Sequence, residues 1–162
     1  MRAREKVKSI EELSWIRKDA RMDGRQVVFT NGCFDLLHIG HIRYLEAARQ
    51  LGDLLIVAVN SDASVKRIKG FLRPIMPGRE RCELVAALQC VDYVVSFESP
   101  DPLPLIEVLA PDVLVKGADW AMEDIVGGDV VQREGGRVVR IPLVPNTSSS
   151  GIIREIVDRF GH

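Results

Sequence analysis

Residues Leu54 to Val59 (LLIVAV) form an uninterrupted apolar run of strand length, and no other segment limits the possible folds so tightly. A strand exposed on one face alternates apolar and polar residues. A continuous run fits a strand covered on both faces, as in a parallel sheet with helical crossovers. The flanking segments have that character. Ser9 to Arg21 reads as a helix, with Ser9 as N-cap and Glu12 completing a capping box. Arg25 to Thr30 is β-rich and is broken by Asn31-Gly32. Ile39 to Leu51 is amphipathic, with Ile42, Leu45 and Ala48 on one face and Gly52 as its stop. Ser61 to Gly70 is polar. Gly78 to Leu88 and Leu103 to Leu109 read as helices, Tyr93 to Ser96 and Val113 to Val115 as strands. After a loop and a short helix, Arg137 to Leu143 is the last strand and Ser148 to Phe160 the last helix. Trp15 and the leucine of the first helix are expected in the core. The alternation predicts one α/β domain over residues 1–162, Rossmann-like and doubly wound. Its parallel sheet has about five strands, and residues 1–24 form a helical extension packed on it.

Composition removes several function classes. With 46% hydrophobic and 28% charged residues, the chain of 162 residues reads as a folded domain rather than a disordered one. A net charge of −1 argues against a general nucleic-acid surface, while allowing a local basic pocket for a small anion. No apolar run approaches the ~20 residues of a membrane span. The opening MRAREKVKSI has charge but no apolar stretch behind it, so no secretory signal is expected. Cys33, Cys82 and Cys90 form no CxxC and leave one unpaired, the pattern of a reduced, cytoplasmic protein. Walker A, GxGxxG, HExxH and GxSxG motifs do not occur.

Doubly wound sheets bind ligands beyond the carboxyl ends of their strands, where strand order reverses. The first strand runs into Thr30-Asn31-Gly32-Cys33-Phe34-Asp35-Leu36-Leu37-His38-Ile39-Gly40-His41, a strand-to-helix junction. Its glycines permit close backbone approach, and a helix N-terminus offers free N–H groups to an anion. His38 and His41, flanking Gly40, can both point at one phosphate. A zinc site would need a third imidazole or thiolate, and Cys33 is the sole neighbour of that kind.

Gly32 to His41 resembles the HxGH signature of the cytidylyltransferase-like nucleotidyltransferases, relatives in fold of class I aminoacyl-tRNA synthetases. Thr147-Ser148-Ser149-Ser150-Gly151-Ile152-Ile153-Arg154 is similar to their second signature. Thr147 stands where Ile is commoner, and Arg154 falls one place later than in the tightest form. The strings VVFTNGCFDLLHIGHIRYLEAARQLGD, LIVAVNSDASVKRIKG, RPIMPGRERCELVAAL, VDYVVSFE and PDVLVKGADW resemble the heptose-phosphate adenylyltransferases, in their stand-alone form. Glycerol-3-phosphate cytidylyltransferases share GxFDLLHxGH and are the alternative within the fold. A non-catalytic nucleotide-binding module is the alternative in another class.

The resemblance implies transfer of AMP from ATP to D-glycero-β-D-manno-heptose 1-phosphate, with Mg²⁺ accompanying the ATP; no residue is singled out as a metal ligand, and whether the ion takes one from the protein is open. His38, His41 and Lys66 are the implied catalytic residues. Nucleotide contacts fall to Gly32, Cys33, Phe34, His38, His41, Gly117, Asp119, Thr147, Ser148, Ser149, Ser150 and Arg154. Acceptor contacts fall to Asp35, Lys66, Lys69, Arg81 and Lys116, with Asp35 open between orienting the sugar phosphate and bracing its loop. Trp120 is open between packing and recognition. The implied partners are ATP and a sugar 1-phosphate, with neither nucleic acid nor membrane, in a homodimer.

Overall fold

The computed structural model describes residues 1–161; His162 lies outside the described residues. Five parallel strands, β1 (Val27–Gly32), β2 (Leu54–Asn60), β3 (Tyr93–Phe97), β4 (Val113–Gly117) and β5 (Arg137–Ile141), form one sheet of order β3-β2-β1-β4-β5. This is the Rossmann-like, doubly wound α/β fold that the alternation predicts. Every residue of β2 is buried, and its side chains divide between two cores. Leu54, Ile56 and Ala58 join Leu13, Ala20, Ile106 and Leu109 on one face. Leu55, Val57 and Val59 join Leu45, Ala48, Val85 and Ala86 on the other. Each such aliphatic side chain contributes about 1.5–3 kcal/mol on burial, so the run can only be central.

The helices are α1 (Ala3–Lys6), α2 (Ile10–Met22), α3 (Ile39–Arg49), α4 (Asp62–Lys69), α5 (Gly78–Ala87), α6 (Leu103–Leu109), α7 (Gly128–Arg133) and α8 (Ser149–Phe160). The capping box forms: Glu12 N donates to Ser9 Oγ at 3.2 Å and Ser9 N to Glu12 Oε2 at 2.8 Å. Ser9→Ala is expected to cost about 1 kcal/mol, read by urea unfolding, without changing turnover. The segment before α2 covers the sheet's edge. Val7 bridges to Val94, Lys8 N donates to Val94 O at 2.8 Å, and Lys6 Nζ caps the end of α5 at Leu88 O and Val91 O.

Two expectations need correction, and one polar segment gains an element. Asn31-Gly32 does not break β1: both residues pair in register with Ala58 and Val59, since β2 runs alongside and satisfies their backbone. The polar segment Ser61 to Gly70 holds the helix α4 (Asp62–Lys69), capped by Ser61 Oγ on Ser64 N. Trp15 is not core; it is 66% exposed. The buried stripe of α2 is Leu13, Arg17 and Ala20, and Trp15 projects from the opposite side beneath the Lys18 ammonium, 5.1 Å from the ring centre.

Candidate active site

Strand order reverses between β1 and β4, so their carboxyl ends bring Asn31-Gly32 and Lys116-Gly117 together. Lys116 Nζ donates to Asn31 Oδ1 at 2.5 Å and lies 5.6 Å from the centre of the half-exposed Trp120 ring. Burial, against the pull of Asp119, lowers the Lys116 pKa to about 8. A Cβ on Gly117 would meet Asp119 Oδ1 at 2.4 Å and Leu143 Cδ2 at 3.1 Å, so the Asp119 carboxylate, which lies against this glycine, would have to turn away.

From Gly32 the chain turns sharply into α3. Phe34 and Leu36 adopt left-handed backbone, with φ of 48° and 53°. Such conformations are strained for side-chain-bearing residues and need outside support. Asp35 supplies it. Its carboxylate is buried and accepts Arg73 Nε at 2.7 Å, Ile75 N at 2.9 Å and Met76 N at 3.0 Å. Burial pushes this carboxyl up, but the two amides and Arg73 outweigh burial and hold it below the ordinary value.

The supported loop delivers His38, the N-cap of α3, and His41 in its first turn. Their rings stack with centroids 3.8 Å apart, and Phe34 closes the inner side 5.3 Å from the His41 ring. His38 Nδ1 and His41 Nδ1 are the only buried side-chain nitrogen or oxygen atoms without a hydrogen-bond partner among the described residues. Burial, then His38, then Lys69 lower the His41 pKa to about 4; burial and Lys69 also lower that of His38. Both imidazoles are therefore neutral at pH 7, and each carries one N–H that can donate to an anion.

The serine run approaches from the other end of the chain. A Cβ on Gly40 would meet Thr147 Cγ2 at 3.4 Å, so Thr147 lies over the start of α3. Ser148 caps α8, its Oγ accepting from Gly151 N at 3.0 Å. Ser149 is buried and accepts Arg73 Nη2 at 3.0 Å, whereas Ser150 is exposed. Cys33 lies within reach of the Lys69, Arg81 and Arg73 charges, although burial raises its pKa.

The structure therefore gathers His38, His41, Cys33, Lys69, Lys116, Gly117, Asp119, Thr147 and the start of α8 around the switch point. It gives three residues other roles. Asp35 braces the loop and presents no free oxygen surface to an acceptor. Arg81 is fully buried, bonding Met76 O, Cys33 O and Asp62 Oδ1 from its three nitrogens, so it fixes the loop instead of gripping phosphate. The Phe34 ring belongs to the core, where it packs against His41. Of the α4 lysines, Lys69 is the one whose charge reaches both histidines and Cys33; Lys66 is exposed and exerts no such effect. Arg154 is exposed on α8. Sequence reasoning missed Asn31 and Arg73. The first reads as turn chemistry and the second as one cation among many, with no spacing to single out either.

Comparison with known proteins agrees with this geometry. The cytidylyltransferase-like family profile matches residues 29–155. The bifunctional protein HldE of Trichlorobacter lovleyi is 55% identical over 155 residues, covering 96% of this chain and 32% of that protein. Its namesake in Geobacter sulfurreducens is 49% identical over 156 residues, with the same coverage. This chain thus spans about a third of the length of these relatives. A lipopolysaccharide core biosynthesis protein from Thermoplasma volcanium superposes with a TM-score of 0.61 at 30% identity, over 75% of this chain and 98% of that one. Pantoate-beta-alanine ligase from Francisella tularensis shares the fold, with a TM-score of 0.57 at 14% identity over 94% and 78% of the two chains. The matched span runs from Phe29 in β1 to Glu155 in α8 and takes in both histidines and the serine run: this chain belongs to the cytidylyltransferase-like family.

Proposed function

We propose that this chain transfers AMP from ATP to D-glycero-β-D-manno-heptose 1-phosphate, forming ADP-heptose and pyrophosphate, in the cytoplasm and as a homodimer. The observation that carries a transfer reaction is the pair of stacked, neutral imidazoles at the switch point. Each can present an N–H to a ligand oxygen. The heptose acceptor is supported by the relatives named HldE and by the lipopolysaccharide core biosynthesis protein.

The acceptor phosphate has a second pKa near 6 and is mostly ionised at pH 7, so its attack on the α-phosphorus needs no general base. The neutral histidines donate to oxygens that gain charge as pyrophosphate leaves. Lys69 and Lys116 neutralise charge on either side. Mg²⁺ enters with the nucleotide, as part of the substrate.

The test is pyrophosphate release by purified protein with Mg²⁺, crossing ATP and CTP against the heptose 1-phosphate and glycerol 3-phosphate. Turnover confined to ATP with the heptose 1-phosphate is expected. Turnover confined to CTP with glycerol 3-phosphate would transfer the chain to the other branch. Sedimentation velocity tests the dimer.

Lys116 adds a pH dependence. Its ammonium loses its proton as pH rises through about 8, and with it the charge that attracts phosphate. A basic limb in kcat/KM near that pH is expected, moved upward in kcat because bound phosphate favours the charged amine. Lys116→Met should remove the limb and lower kcat/KM about tenfold at pH 7.

A further inference from the structure

One buried side chain joins the two signature segments, which lie more than a hundred residues apart. Arg73, between α4 and α5, donates from Nε to Asp35 Oδ2 at 2.7 Å and from Nη2 to Ser149 Oγ at 3.0 Å. Asp35 sits in the loop that delivers His38, and Ser149 opens α8. Arg73 thus lies between the two surfaces expected to face the nucleotide phosphates, and its charge is felt at Cys33.

A brace alone would explain Nε and one hydrogen of Nη2. It does not explain Nη1. This group has no protein partner among the described residues, yet it is absent from the fully buried, unpartnered atoms, so it meets open space in a residue that is only 9% exposed. Asp35 meets the guanidinium through Nε only and leaves its outer end without a carboxylate partner. A guanidinium anchored along one edge and free along the other is preorganised for phosphate oxygens.

We propose that Arg73 is a polyphosphate-binding residue: its anchored edge sets the histidine loop against α8, and its free edge holds a phosphate oxygen between them. The proposal rests on the nucleotidyl-transfer reading in taking the polyphosphate as that of the nucleotide. Its probe, inorganic tripolyphosphate, does not depend on base or acceptor.

Calorimetric titration of wild type, Arg73→Lys and Arg73→Met with tripolyphosphate tests it, alongside melting of each unliganded protein. Arg73→Lys keeps the charge but cannot be anchored at two points while offering a free N–H pair. Its affinity is expected to fall about tenfold, and that of Arg73→Met by about 10²-fold. If Arg73→Met does not fold, Arg73→Lys decides. Lower melting temperature with unchanged tripolyphosphate affinity in the folded Lys variant would reduce Arg73 to a brace and overturn the proposal. So would a wild type that binds no tripolyphosphate. Loss of binding in the variants, with no pyrophosphate released by wild type from either nucleotide, would uphold Arg73 and sink the nucleotidyl-transfer reading.

Discussion

His41→Ala lowers kcat by about 10²–10³ while the protein stays folded; this is the expected loss for one preorganised donor to a developing oxyanion, about 2.7–4 kcal/mol. His41 has no protein hydrogen bond at Nδ1 to lose, so its removal leaves no partner stranded. What the fold loses is the stacking with His38 and the contact with Phe34. His38→Ala should fall comparably in kcat. Near-normal turnover in either variant would remove the catalytic assignment. The protonation state can be checked separately, by imidazole NMR on the unliganded protein. His41 should stay neutral until the pH nears 4, far below the ordinary 6.5. The sign for stability follows. Between pH 6.5 and about 4 the unfolded chain takes up a proton that the folded chain refuses, so stability falls as pH drops through that window. Above 6.5 both states are neutral and His41 adds no pH dependence.

The fold was legible because its main signal is one-dimensional. An unbroken apolar run implies a strand buried on both faces, and Leu54–Asn60 divides its side chains between two cores as that requires. Caps were legible for the same reason, since Ser9 and Glu12 interact across three residues. The histidine pair and the serine run could be read as motifs at a strand end and a helix start. The direction of individual charged side chains could not. Arg81 and Arg73 flank the same short loop, and no local pattern tells which guanidinium is spent on carbonyls and which keeps an edge free. That depends on Cys33 O and Ser149 Oγ, 48 and 76 residues away. Lys66 and Lys69 pose the same problem within one helix. Trp15 failed for a different reason: its hydrophobicity suggested burial, but its phase on α2, opposite Leu13, Arg17 and Ala20, decides its side.

Gly40→Ala separates activity from stability most sharply, with an expected loss of about 10²-fold in kcat and no loss of melting temperature. Gly40 sits in the first turn of α3 and does not adopt a positive φ, so the backbone makes no demand for glycine. Alanine should favour the helix by as much as about 0.8–1 kcal/mol, less at a helix end than in its interior. Space makes the demand instead. A Cβ at this position would lie 2.9 Å from His38 Nδ1, 3.0 Å from His38 Cε1 and 3.4 Å from Thr147 Cγ2. The His38 ring can swing away, because it is partly exposed and held by no hydrogen bond, so the helix survives. The ring then carries its N–H off the line to the phosphate, and a displacement of about 1 Å suffices for a 10²-fold loss. The glycine of HxGH is thus the space in which the first histidine lies. A double-variant cycle tests this reading. If alanine acts by displacing His38, then Gly40→Ala costs little in a His38→Ala background, because the group it would move is already gone. Full additivity of the two losses would mean that the alanine disturbs Thr147 or α8 instead.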